Sequence, residues 1–256
     1  MVMMAVWLGS SLMAAPPEVE PAKAPPADSP KPIAIDESFM TYFYEHPAPD
    51  RVPELYRWFF TQIAGQESRL GPTMIAFFSE LIKKNPDSAG TWTEALASQP
   101  SASLRWWYEI LATSQTEQAR TVLQKVANAD GAIRNRDAKR LLASTYSELT
   151  SLPVSSALVM DMLWSAFFAT GDERFVLRLI TLLDKEHSPG MLYQAAKWSL
   201  SSNAFQHDKV LKICREQSKS HEKERIRAEL CDVVFKAELQ LQKEPSPDPA
   251  LKTDKK

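Results

Sequence analysis

Apolar positions recur along this chain at spacings of three and four residues, the period of a helix with one buried side. The densest run is Ala157–Ala169, ALVMDMLWSAFFA, where only Asp161 and Ser165, four residues apart, interrupt the apolar side chains. A helix apolar nearly all round is a buried one, and this run is too short to cross a bilayer. The pair Asp161 and Ser165 is expected on a solvent-facing stripe or in a hydrogen bond to another helix. Gly171 can take the left-handed conformation that ends the helix, and Asp172 can cap the next through its carboxylate. In that second helix Val176, Leu179, Ile180 and Leu183 fall on one side, with Arg174, Arg178, Thr181 and Lys185 away from it. The expected product is a tight antiparallel helical hairpin inside the core.

The same pattern fills residues 36–243. Asp36 caps a short helix carrying Phe39, Tyr42 and Phe43, which stops before His46-Pro47-Ala48-Pro49. Asp50 opens a helix with Leu55, Trp58, Phe59 and Ile63 inward. Pro72 starts another, with Ile75, Phe78, Leu81 and Ile82 inward, and Asn85-Pro86 stops it. Asp87 or Ser88 begins a helix centred on Trp92 and Leu96; Ser101 or Ser103 begins one containing Leu104, Trp107, Ile110 and Leu111. Further helices are expected over 115–127, 135–149, 154–169, 172–186, 189–201, 206–217 and 223–243. No stretch alternates with a period of two between hairpin turns, so the fold class is all-α. About a dozen antiparallel helices with short joints make an irregular, tetratricopeptide-like α-solenoid or a helical bundle. No single repeat period and no tetratricopeptide consensus runs through them.

The segments IAFFSELIKKNPDSAGTW and LWSAFFATGDERFVLRLI carry a resemblance. Together they look like a pattern in uncharacterised bacterial all-helical proteins, an FF-rich helix before an Asn-Pro stop and an LW-rich helix before a Thr-Gly-Asp turn. The resemblance spans roughly residues 39–238 and implies a fold; it implies no activity and no catalytic residue.

The ends of the chain have a different composition. Residues 1–15, MVMMAVWLGSSLMAA, form an apolar run ending in small residues, the make-up of a signal peptide, although the usual Lys or Arg before the apolar stretch is missing. Residues 16–35 hold seven prolines and scattered charges, which suits an extended linker, and residues 244–256, EPSPDPALKTDKK, suit a disordered tail. The expected location is periplasmic or secreted, with the cytoplasm as the alternative. Membrane contact is expected only through an uncleaved N-terminal segment.

Charge and candidate chemistry narrow the function. A formal charge of −2 gives no reason to expect nucleic acid. Seven glycines argue against glycine-rich nucleotide loops. His46, His187, His207 and His221 never fall at the i, i+4 spacing that sets two zinc ligands on one helical side, so no metal or cofactor is expected. No catalytic residue can be assigned: serine lacks a nucleophile-elbow setting, and paired carboxylates are not visible. Cys214 and Cys231 form a candidate disulfide if the joint between their helices lies near residues 222–223, which puts them at matching heights. A joint placed earlier, from 217 to 221, offsets them by about seven residues, roughly 10 Å, and leaves two buried thiols. Trp58, Trp92, Trp106, Trp107, Trp164 and Trp198 are expected in the core. Adjacent Trp106 and Trp107 cannot share a helical side, so the pair is a candidate partner surface. The favoured reading is an exported helical-repeat protein that binds a protein or peptide partner in the cell envelope, without catalysis. An envelope hydrolase or transferase with a cleft between helices, and a cytosolic helical scaffold, are the alternatives.

Overall fold

The helical periodicity is realised almost without interruption. The computed structural model describes residues 34–243 apart from Ala64, Asp130, Gly131 and Pro189. The expected signal segment 1–15, all but the last two residues of the linker 16–35, and the tail 244–256 fall outside the described residues. Among those described there are twelve α-helices and no strand, an all-α fold. The helices are α1 (Glu37–Thr41), α2 (Val52–Ile63), α3 (Glu67–Lys84), α4 (Ala89–Ala95), α5 (Ser101–Ser114), α6 (Glu117–Asn128), α7 (Ala132–Leu142), α8 (Ala157–Thr170), α9 (Glu173–Ile180), α10 (Gly190–Gln206), α11 (Asp208–Ser220) and α12 (Glu224–Lys243). None is long and apolar enough to cross a membrane.

The start and stop signals act as the sequence suggests. The Asp36 carboxylate accepts the Phe39 N–H at 2.9 Å, and Asp172 accepts that of Arg174 at 2.9 Å. Each satisfies a backbone donor that the first helical turn leaves without a partner. Gly171 ends α8 at φ 67°, a conformation that strains any residue with a Cβ. Asn85 closes α3 before Pro86.

Tertiary packing overrides the local signals at other places. Pro72 lies inside α3 instead of starting it. It forfeits one hydrogen bond near the first turns, while the half-buried Trp106 ring of α5 packs directly on Gly71. The helix expected over 135–149 ends at Leu142, and the one expected to reach residue 186 ends at Ile180, followed by a 3-10 turn over Thr181–Leu183. Within α8 every residue from Leu163 to Phe167 is buried, Ser165 included, while Asp161 is exposed.

Two hydrophobic clusters result. The first gathers residues from Phe39 to Leu141, together with Ala169 of α8. The second runs from Leu149 to Ala237 and includes Ala76 of α3. Those two exchanged alanines mark the seam: α8 packs along α3, its most extensive partner, and the small side chains let the helices approach closely.

Candidate functional site

Helix α10 lies against α12, and the contact is ionic as well as apolar. Lys197 reaches Glu229 at 2.5 Å and Asp232 at 2.7 Å, and Asp232 also accepts from Lys236 at 2.8 Å. Burial alone would depress the Lys197 ammonium, but Asp232 and Glu229 outweigh it and hold the lysine charged. Beside this seam several outward side chains are apolar, set among exposed polar ones such as Gln194 and Lys236. Met191 and Trp198, two helical turns apart on α10, are 88% and 73% exposed. Cys231, Phe235 and Leu239 follow one another at four-residue intervals on α12; Phe235 is 63% exposed. A lone exposed apolar residue needs no explanation, whereas two helices packed together that each carry an exposed apolar row are candidates for an interaction surface.

The residues singled out from sequence fall elsewhere. Trp107 has no exposed surface and its indole donates to Thr93 Oγ1 at 2.8 Å, so it cannot meet a partner. Trp106 is half-buried on Gly71. Trp198, expected in the core, is the one among the described tryptophans that faces outward. Leu192, Ala196 and Leu200, with the partly buried Ala195, meet the core needs of α10, which leaves position 198 on the opposite side. Cys214 and Cys231 are free thiols. The joint His221–Lys223 does bring them to matching heights, but helical phase separates them. Cys214 points into the second cluster, where burial pushes its thiol up to about 12, while Cys231 is turned to solvent beside the buried Leu230.

Two polar clusters tie this half together. Asp184, buried after α9, binds Lys223 at 2.9 Å, Arg225 through both oxygens at 2.8 Å, and His187 Nδ1 at 3.0 Å. Arg225 also pairs with Glu186. Asp184, Glu186 and His187 lie close enough together for a metal, yet the cations of the chain itself already neutralise the two carboxylates. The cluster is better described as an ionic clasp between the turn after α9 and the start of α12.

The second cluster was missed at the sequence level because its members are 162 residues apart. His207, fully buried, caps the corner between α10 and α11. Its Nδ1 lies 3.2 Å from the Tyr44 hydroxyl and 3.6 Å from Glu45, and Tyr44 donates to the same Glu45 carboxylate. His207 and Tyr44 hold that carboxylate below its ordinary range against the opposing effect of burial. Burial and the adjacent Glu45 raise the Tyr44 phenol. The combination resembles a proton relay, but Tyr42, Tyr44, Phe167 and Phe168 pack round the imidazole and its Nε2 has no partner among the described residues. A substrate cannot reach that ring without opening the corner, so the arrangement pins the turn after α1 to the second half.

These features make up an all-α fold whose helices α10 and α12 carry exposed apolar side chains. Among known proteins, no family model, no curated protein and no solved structure matches the chain.

Proposed function

We propose that this chain is a non-catalytic binding module that captures an amphipathic helix of a partner protein along the α10–α12 seam, and that it works outside the cytoplasm. The observation that carries the reading is the pair of exposed apolar rows, Met191 and Trp198 on one helix and Cys231, Phe235 and Leu239 on the other. A helix laid over the seam would bury both rows, with anchors repeating every three or four residues. An array normally closes its last layer with a polar outer surface, so apolar rows there call for a cover. The composition of residues 1–15 supports an envelope location.

The test is site-specific photo-crosslinking in the native host from position 194, which lies exposed on α10 between Met191 and Trp198. The expected product is one protein crosslinked through an apolar helical segment in an extracytoplasmic fraction. Its yield should fall in Trp198→Ser and Phe235→Ser variants that keep the parent thermal midpoint. Yields unchanged in both folded variants would sink the docking claim, and a crosslink confined to the cytoplasm would sink the location.

A further inference from the structure

A cleft of about 320 Å³ opens at the seam between the two clusters, lined by α3, α5, Met162 of α8 and the segment 145–152 with its 3-10 turn Leu149–Ser151. Its walls are largely apolar, with Ile75, Ala76, Leu149, Leu152 and Met162 among them. Two carboxylates enter it. Glu80 is only 8% exposed; Lys83 donates to its Oε1 at 2.8 Å, and no hydrogen bond among the described residues reaches Oε2. Glu109 of α5, half-buried, has no hydrogen bond or ion pair among those residues. Lys83 is shared with Glu148 at the rim, at 2.7 Å. Arg174, the other cation felt by Glu80, is bound to Asp172 at 2.6 Å. One lysine is therefore shared by two carboxylates, Glu80 and Glu148, a third, Glu109, lines the same cleft, and the buried Glu80 leaves an acceptor oxygen unused. Burial drives the Glu80 carboxyl up despite Lys83, the expected behaviour of an acid whose stabilising cation is incomplete.

We propose that this cleft binds an organic cation carried on a hydrocarbon stem, an ammonium or guanidinium group whose charge lies between Glu80 and Glu109 and whose stem lies on Ile75, Leu149 and Met162. The volume suits a small ligand, and the mixture of apolar wall and few convergent polar groups is what orients one. A cation supplies donors to the free Glu80 oxygen and to Glu109, each a charge-assisted bond. A neutral ligand leaves both unmatched, and an anion meets excess negative charge. The chemistry is shared by a Lys or Arg side chain of a peptide and by a free alkylamine, and it is independent of the α10–α12 surface.

Calorimetric titration of the full chain at pH 7.5 with four probes separates the cases: N-acetyl-arginine amide, n-pentylammonium, n-pentanol and pentanoate. Saturable binding of either cation, with n-pentanol and pentanoate weaker by about tenfold or more, is expected. Whichever cation binds tighter identifies the source as peptide side chain or free amine. Glu109→Gln should weaken that cation by about tenfold, Glu80→Gln likewise, and Trp198→Ser should leave it unchanged. Binding should also weaken as pH is lowered and the Glu80 carboxyl, raised by burial, protonates. Equal binding of n-pentanol, preference for pentanoate, no saturable binding of any probe, or full cation affinity in a folded Glu109→Gln variant would each overturn the proposal.

Discussion

In the cluster built from α1 to α7, Tyr56, Phe59, Phe77, Phe78 and Trp107 meet edge to face at centroid separations of 5.1 to 6.4 Å. Their polar handles are satisfied inside: Tyr56 donates to the Ser103 carbonyl at 2.6 Å, and Trp107 to Thr93 at 2.8 Å. The second cluster is built mainly from Leu, Val, Ile and Ala, and its polar groups form ionic clasps at the margin. It also leaves Trp164 Nε1 and His207 Nε2 buried without partners among the described residues. Among the described residues, the four large hydrophobics that stand exposed, Met191, Trp198, Phe235 and Leu239, all belong to this half. The first half uses its aromatic side chains for cohesion. The second buries Trp164, Phe167, Phe175 and Tyr193 but leaves Trp198 and Phe235 in water, and those two exposed rings are what sets the halves apart.

The largest effect that could break this contrast is Trp107→Ala. Removing a fully enclosed indole costs about 3–5 kcal/mol of folding stability, measured by chemical denaturation. Trp198→Ala should stay within about 0.5 kcal/mol of the parent, because its ring is already in water. Similar losses at the two positions would erase the distinction.

Asp184→Asn sharpens the contrast from the other side, through pH. Burial alone would raise the Asp184 carboxyl, but hydrogen bonds from Lys223 and His187 and the charge of Arg225 hold it far below the usual range. A carboxyl lowered in the folded state contributes stability that is complete above its unfolded value, about 3.9, and is lost as pH falls below it. The variant should be less stable at pH 7 and show a shallower acid limb below about pH 4. Denaturant midpoints at pH 7, 5 and 3 that run parallel for the two proteins would exclude the clasp as a source of acid sensitivity.

The sequence was informative wherever one element decided its own state. The Asp36 and Asp172 caps, the Gly171 turn and the Asn85-Pro86 stop are chemistry between residues a few positions apart, and all appear as expected. What needed a distant partner was not legible. Pro72 reads as a helix start until Trp106 is seen against Gly71. Position 198 reads as core because tryptophan usually is, and only the packing of α10 on α11 and α12 shows which side faces out. The Cys214–Cys231 spacing fixes height along the hairpin but not helical phase, and phase decided the outcome. For the exposed apolar rows, seven-residue spacing on α10 and four-residue spacing on α12 are visible in the sequence; that the two helices pack together through an ionic contact is not.

A pair of glycines tests how tightly the halves are packed. A Cβ built on Gly71 would lie 2.3 Å from Trp106 Cη2 and 2.7 Å from Cζ3. No side chain tolerates such distances, so Gly71→Ala must push the indole off α3, at about 1–3 kcal/mol. Adding Trp106→Phe should return part of that loss, since a smaller ring clears the methyl; the two changes share a contact and should couple strongly. Gly190, exposed at the start of α10, has nothing within 4 Å of the equivalent position. Alanine there meets no clash and restricts the unfolded chain, so it should stabilise by about 0.4–1 kcal/mol. Opposite signs at the two glycines, read from denaturation midpoints, are the result that a close-packed first half and an open outer layer in the second require. If Gly71→Ala proved neutral, Trp106 would be free to swing outward, and the aromatic cohesion of the first half would stop short of its α3–α5 edge.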